Sequence, residues 1–437
     1  IQEQFLVADA SFEAKLYNKA LSTYEQLAYK TSIEDIRGFT PLKTNSTNDE
    51  DSYSFEEIQL ASAYACSTTI RKQLKELDYT QEQKNRSNIG QSANKVRYES
   101  LMKQRQTFDD LYILHFSSDR RAKFIAVQQA EYAYQQKNYL DLARYTNFIF
   151  SSYNIDQDFL LNQPVTSIID VVKLGKKVQQ PLTARALKQV QITTQLNANA
   201  SYEQGLYIKA EKELLLALLY INDKTKQKQI GELIASSVFA QAKGQLAVDT
   251  DIAVSHFLRL GVLVPNSKYR ANAEFDAANL LLDNTKWRQG IKVLKSFKAR
   301  FPSHKYVASI PAKLAMSYEK LELWPEAAEQ LLLMVKTENN KDLKREAQYT
   351  AAEYYLKAGN TNKALVHFRT YAHNYAEPVN VAQEVRFKLS EFYRELKEPN
   401  KRYFWYRKLI KHHKILLKKP TTISAEGKSR SHYLASY

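Results

Sequence analysis

Cysteine, glycine and proline are all scarce in this chain of 437 residues. Cys66 is the only cysteine, which excludes an internal disulfide framework and a cysteine-rich zinc site. Ten glycines and ten prolines are too few for a fold built from many strands and tight turns. No stretch approaches the run of about eighteen apolar residues that crosses a bilayer. Hydrophobic residues make up 44% of the chain and charged residues 25%, so the composition gives no case for bulk disorder.

The common catalytic and phosphate-binding motifs are also absent from the sequence. It has no glycine-rich phosphate loop, no HExxH, no GxSxG and no protein-kinase set. His412 and His413 are neighbours, but adjacent side chains on a helix point about 100° apart, and no acidic or cysteine partner is nearby. We therefore predict a protein that is not an enzyme and that holds no metal and no cofactor.

A regular spacing of small residues dominates the second half of the chain. Gly290, Ala327 and Ala364 are 37 residues apart, and each is followed by large apolar residues four and seven positions later. A second small residue lies twelve positions before each of them. Two antiparallel helices joined by a short turn need small side chains where they cross, with bulky ones beside them. The spacing therefore predicts a stack of helix hairpins.

The same positions resemble the tetratricopeptide repeat (TPR). The likeness is best over 269–397, weaker over 191–265 and 1–30, and least evident over 31–182. The period is about three residues longer than usual, and the family's first-helix tryptophan and leucine–glycine pair are absent. The resemblance implies an all-α fold, a right-handed superhelical α-solenoid of TPR-like helix hairpins that binds other proteins. One unit matches the family's small-and-bulky pattern at Ala315, Tyr318, Trp324, Ala327, Leu331 and Met334.

These patterns divide the chain into five predicted segments. We expect both ends to be cut, because the chain opens with Ile1 and stops within a helical pattern, so that a signal peptide or lipid anchor would lie outside it. The segments are a TPR-like unit at 1–30, an irregular helical region with loops at 31–182, TPR-like units at 183–265, a regular TPR array at 266–419, and a linker with the start of a further helix at 420–437.

Two joints between units carry a narrower resemblance. Phe301, Pro302 and Ser303 lead into the next unit, and the segment 264–269 repeats this joint. The joints are similar to those of bacterial cell-envelope members of the family, such as the TolA-binding coordinator, the Bam-complex assembly lipoprotein, and exported repeat proteins linked to TonB or gliding machinery. The resemblance implies a periplasmic or cell-envelope location in a Gram-negative bacterium, with a cytoplasmic location as the alternative.

In this family the first helix of each repeat lines a concave groove that holds the ligand. Aromatic rings there supply contact area, and carboxylates orient a basic or amide-bearing peptide. The alternative for the two phenylalanines is that they pack against adjacent helices. Carried over to this sequence, the partner-binding groove residues are Phe275, Asn279, Met316, Tyr349, Glu353, Phe387 and Glu391.

Positive charge is concentrated at the end of the chain. The net charge is +16, and residues 401–437 hold ten Lys and Arg against one acid, Glu426. Such a surface either faces an anionic partner or is simply solvated. We expect one stripe of the last helix to face the array, formed by Tyr406, Leu409, Ile410, His413 and Leu417. The predicted basic surface consists of Lys401, Lys411, Lys414, Lys418 and Lys419.

Three functional hypotheses follow from these patterns. The first is a non-catalytic scaffold or adaptor of the bacterial cell envelope that binds a partner segment in its concave groove. The second is a spacer or assembly factor that acts through the basic C-terminal surface, and the third is the repeat part of a larger enzyme. The expected partners are proteins of the envelope machinery rather than nucleic acid. A peripheral membrane or lipid-anchor association, through segments outside this sequence, is compatible with these hypotheses.

Overall fold

The structure is a computed structural model that describes the chain except for 32–53, 78–88, 164 and most of 418–437. The described residues form nineteen α-helices and no strand, which confirms the predicted all-α class. None of these helices combines the length and apolar character needed to span a membrane. Close contacts group the chain into two units, 1–237 and 238–437.

The helices of unit 1 occupy most of the first half of the chain. Short non-α turns follow α2 at 26–30 and precede α7 at 159–162. The division between the units lies within α10. The α-helices are α1 (Gln2–Glu13), α2 (Tyr17–Glu25), α3 (Phe55–Glu76), α4 (Ile89–His115), α5 (Arg120–Gln135), α6 (Tyr139–Ser152), α7 (Ile168–Val178), α8 (Ala184–Glu203), α9 (Tyr207–Leu219) and α10 (Lys224–Gln245).

The helices of unit 2 are paired in hairpins. In each hairpin we call the earlier helix the first helix and the later one the second helix. A short 3₁₀ turn at 305–309 precedes α14. The helices that follow α10 are α11 (Thr250–Leu263), α12 (Arg270–Asp283), α13 (Trp287–Arg300), α14 (Ile310–Lys320), α15 (Trp324–Thr337), α16 (Lys341–Lys357), α17 (Thr361–Asn374), α18 (Val379–Glu395) and α19 (Pro399–Leu417).

Seven hairpins in the described chain share one three-residue turn between their helices. In α12/α13, for example, the amide of Thr285 donates to the carbonyl of Leu282 (3.0 Å), and the amide of Lys286 donates to that of Leu281 (2.8 Å). These two bonds form a Schellman motif, which requires a left-handed residue in the middle of the turn. The middle residues, with φ between 55° and 73°, are Lys15, Lys137, Gly205, Thr285, Glu322, Gly359 and Lys397.

The paired helices cross at small residues, as the spacing predicts. In five of the seven hairpins a small residue lies seven positions before the middle residue of the turn and another lies five positions after it. At Gly290 a Cβ atom would lie 2.4 Å from Cδ2 of Leu282, so α12 and α13 approach too closely for a larger side chain. The crossing residues are Ala8 and Ala20, Ala198 and Ala210, Ala278 and Gly290, Ala315 and Ala327, and Ala352 and Ala364, all buried.

The segment predicted as an irregular helical region contains α3 to α7 in its described part. Here α3 packs on α4 and α5 packs on α6, and the α5/α6 turn is one of the seven. α7 is an additional helix that packs on α9. Its Gly175 is essential to this contact, because a Cβ atom there would lie 2.3 Å from the carbonyl oxygen of Leu219. The division into five segments stays a prediction.

A buried carboxylate joins three helices of unit 1. Asp109 on α4 is fully buried and accepts hydrogen bonds from Ser67 on α3 and Gln129 on α5. Arg71 and Arg105 lie at 3.5 and 3.4 Å from its oxygens. Because a buried charge is costly without partners, this cluster holds α3, α4 and α5 in one arrangement. Burial lowers the pKa of Arg105 against the opposing effect of Asp109.

The shared turn makes a prediction about stability. Thr285 is β-branched and holds φ at 58°, a region that glycine adopts freely. We expect Thr285→Gly to stabilise the protein by about 1 kcal/mol and to raise Tm by about 1 °C. The reverse substitution is available at the equivalent position of another hairpin, because a Cβ atom at Gly359 would meet nothing within 4 Å. Gly359→Thr should therefore lower stability by a similar amount. Urea unfolding of both variants measures the two changes in the free energy of unfolding. If both substitutions changed it in the same direction, the prediction would be contradicted.

Candidate functional site on the first helices of unit 2

The residues predicted to line a groove lie on the first helices of unit 2. In α12, α16 and α18 they occur in pairs four positions apart, so each pair shares one helix face. Because the repeat is 37 or 38 residues long, four of them occupy equivalent positions of successive first helices. We call these four the cross-helix row: Asn279 on α12, Met316 on α14, Glu353 on α16 and Glu391 on α18.

Phe275 belongs to the core of unit 2. Its side chain is only 8% exposed, and its ring stacks on Tyr306 with ring centres 4.3 Å apart. The ring of Phe297 lies 5.6 Å away, and the ammonium group of Lys313 on α14 lies 5.7 Å from the ring centre. These contacts correspond to the packing alternative considered for this phenylalanine. Phe387, the other phenylalanine of the set, is half-buried on α18.

Asn279 and Met316 form the accessible part of the cross-helix row. The thioether side chain of Met316 is 42% exposed. Asn279 is half-buried, and its Oδ1 is buried without a hydrogen-bond donor from the described residues. A buried acceptor of this kind is normally satisfied in proteins, by the chain itself or by another molecule. The pair therefore offers one exposed apolar side chain, Met316, whereas the unsatisfied oxygen of Asn279 is closed off from solvent.

Tyr349 and Glu353 on α16 are held by a lysine that the sequence analysis did not select. Lys388 on α18 forms an ion pair with Glu353, and its ammonium group lies 3.4 Å from the hydroxyl oxygen of Tyr349. The same group lies 5.5 Å from the ring centres of Tyr349 and Phe368. The tyrosine ring also packs edge-on against Tyr371. Lys388 thus ties two consecutive repeats together and neutralises Glu353.

The pKa directions in this cluster follow from burial and pairing. Burial acts to lower the pKa of Lys388, but the hydrogen bond and charge of Glu353 outweigh it, so the pKa is raised. Burial raises the pKa of Tyr349, an effect that the nearby Lys388 opposes. At neutral pH the lysine is therefore charged and the tyrosine is neutral, so the cluster presents rings and a closed ion pair.

Glu391 is likewise occupied. It accepts a hydrogen bond from the hydroxyl of Tyr406 on α19 (3.1 Å) and pairs with Arg394 one turn along α18 (2.7 Å). The Tyr406 hydroxyl in turn accepts a hydrogen bond from Arg402 (3.0 Å). Both carboxylates that the sequence analysis assigned to ligand orientation therefore have cationic partners within the chain.

The predicted groove residues thus do not form one cluster. Tyr349 and Glu353 come together with Lys388, and Glu391 has its own partners, whereas Phe275 is in the core. The repeat pattern did not point to Lys388, although it lies next to the predicted Phe387, because adjacent side chains on a helix point about 100° apart. Among the described residues no group of three His, Cys, Asp or Glu side chains is arranged to hold a metal ion.

The basic surface predicted at the end of the chain is partly described. Lys411 and Lys414 are exposed on α19, and Lys401 pairs with Glu398. Lys418 and Lys419 lie outside the described residues.

The inward stripe of α19 matches the expected one in part. Leu409 and His413 are buried as predicted and Trp405 is buried beside them, whereas Ile410 is 40% exposed and Tyr406 is half-buried. The prediction that Ile410 faces the array was wrong. The helix is rotated so that the large Trp405 ring packs inward, 5.2 Å from the ring of a histidine on α17.

No family model and no curated protein sequence matches this chain. It is similar to three solved structures at low identity. The apo form of RapI is 11% identical, with 84% of this chain and 97% of that chain covered and a TM-score of 0.24. The TPR domain of P58(IPK) is 13% identical, with 91% and 98% covered and a TM-score of 0.21. Yeast Tom70 is 10% identical, with 100% and 94% covered and a TM-score of 0.24.

Sequence identity and TM-score are both low for these three structures. The assignment of the fold to a TPR-like array of helix hairpins is therefore based on features of this chain alone. It has the repeated turn with a left-handed middle residue and the repeated crossing at small residues.

The ion pair between consecutive first helices can be tested through stability. Glu353 and Lys388 are 26% and 35% exposed, so both charges are partly desolvated. Removing either side chain leaves the other charge partly buried and without its partner. We expect Glu353→Gln and Lys388→Gln each to cost about 1 kcal/mol, and the double variant to cost clearly less than the sum. Urea unfolding of the full cycle measures this coupling. The control is Lys336→Gln, at an exposed lysine of α15, which should be neutral. Additive costs at positions 353 and 388 would show that the two side chains do not interact.

Proposed function

We propose that this protein is a non-catalytic interaction scaffold of the bacterial cell envelope, and that it binds a segment of a partner protein along the first helices of unit 2. The observation that carries the proposal is the cross-helix row. Its four residues occupy equivalent positions of successive first helices, and none of them is fully buried.

Neighbouring packed helices lie about 10 Å apart, so the row extends over roughly 30 Å. An extended peptide of about nine residues has this length.

The chemistry of the row indicates what kind of segment it accepts. Met316 is a flexible apolar surface that adapts to different side chains. Glu353 and Glu391 are already paired with Lys388 and Arg394, so the partner is recognised mainly through apolar contacts. Binding should accordingly depend only weakly on salt.

The envelope location is supported by the joints between units. Phe301 and Pro302 lead from α13 towards α14, and the ring of Phe301 packs on Phe297 at 5.2 Å. The segment 264–269 has the corresponding place between α11 and α12. The similarity of these joints to those of envelope proteins with TPR arrays is the reason for proposing this compartment and partners among the envelope machinery.

The groove proposal is tested with two matched substitutions. Met316 on a first helix and Val366 on a second helix are both apolar, at 42% and 47% exposed. The full chain is used as bait against envelope and cytosolic extracts of a Gram-negative bacterium, and the captured protein is then purified and titrated. We expect Met316→Arg to weaken its binding at least roughly tenfold, because a charge is placed in an apolar contact. Val366→Arg should bind like the wild type.

The outcomes separate the two parts of the proposal. Equal affinity of the Met316→Arg and wild-type proteins would overturn the assignment of the first-helix face. Specific capture from the cytosolic extract alone would overturn the envelope location while leaving the binding face in place. Unchanged helicity of both variants, measured by circular dichroism, controls for the fold.

A further inference from the structure

The outward face of α19 combines basic and large apolar side chains. Between 403 and 415, a stretch that the structure describes in full, eight residues are exposed. Half are Lys or Arg and half are large and apolar, and α19 contains no acidic residue at all. We call them the α19 outer face: Tyr403, Phe404, Arg407, Lys408, Ile410, Lys411, Lys414 and Ile415.

Packing within unit 2 does not explain the apolar members of this face. The helix already buries Trp405, Leu409 and His413 on its other side. The four outward apolar side chains are nevertheless 40–57% exposed. Leaving this much apolar surface in water is unfavourable, and a row of it on one helix marks a contact surface.

A second basic helix of the same unit provides the comparison. α13 also lacks acidic residues and carries exposed Arg288 and Lys292. Its exposed side, however, holds no large apolar side chain, which is the pattern of a solvated helix. The α19 outer face therefore differs from an ordinary basic helix surface in its exposed aromatic and aliphatic residues.

The cations of the α19 outer face are available to an external anion. Arg407, Lys411 and Lys414 form no ion pair with a described residue. A depression of about 380 Å³ lies among them, lined in its described part also by Ile410 and Ile415. The face thus offers positive charge that has no ion-pair partner among the described residues, immediately beside apolar surface, over a helix length of about 18 Å.

We propose that the α19 outer face binds the surface of an anionic lipid bilayer. Lysine and arginine side chains reach lipid headgroups while their aliphatic stems lie along apolar surface. Aromatic rings such as those of Tyr403 and Phe404 are favoured at the boundary between headgroups and acyl chains. Nucleic acid fits less well, because Ile410 and Ile415 have no ring on which a base could stack. The surface is distinct from the first-helix face proposed above.

The test is co-sedimentation of the full chain with vesicles of phosphatidylcholine alone and of phosphatidylcholine mixed with phosphatidylglycerol. We expect binding to the mixed vesicles that weakens as salt is raised. The triple variant Arg407→Gln, Lys411→Gln, Lys414→Gln should bind on the order of 100-fold more weakly. The double variant Tyr403→Ser, Phe404→Ser should lose roughly tenfold at every salt concentration.

The matched control removes three positive charges from exposed side chains of α13, as Arg288→Gln, Lys292→Gln, Lys295→Gln, and should bind like the wild type. Equal loss in this control would overturn the proposal in favour of a net-charge effect. Binding to phosphatidylcholine alone, or tighter binding to a single-stranded oligonucleotide than to the mixed vesicles, would also overturn it. Helicity and Tm of each variant show that the fold is retained, which is expected because all altered side chains of the α19 outer face are exposed.

Discussion

The close crossing of paired helices at small side chains is the constraint on which the rest of the structure depends. At Gly290 even a methyl group would collide with Leu282, and Ala327 and Ala364 are fully buried. Once two helices touch at such positions, their bulky neighbours must fill the grooves on either side. The spacing of the small residues therefore sets the spacing of the hairpins, and with it the positions of all side chains on the first and second helices.

The turns between the paired helices follow from the same constraint. Seven of them, in the described chain, hold a left-handed middle residue although only two of these residues are glycine. Thr285 and Glu322 accept an unfavourable backbone conformation because the packed helices on both sides fix the path of the chain. The turn thus costs free energy locally, and the crossing stabilises it.

The candidate site shows how far sequence reasoning reaches. Periodicity placed Asn279, Met316, Glu353 and Glu391 on successive first helices, since equivalent positions recur with each repeat. It did not indicate that Lys388 neutralises Glu353, because that contact joins two repeats and depends on the length and direction of a lysine side chain. For Phe275 the sequence left groove and core positions open, and the choice depends on the ring of Tyr306, which comes from the 3₁₀ turn before α14.

The sequence by itself determined that the chain is all-α, that its helices pair, and where five of the pairs cross, because these features need only small and large side chains at a fixed period. Tertiary structure alone decided which of the remaining side chains are accessible. On α19 Trp405 packs inward where Tyr406 was expected, and Ile410 lies outside beside Arg407. Periodicity does not resolve such a rotation of a helix by one residue. Accessibility depends on what neighbouring helices cover, and that is a property of the packed molecule rather than of any single helix.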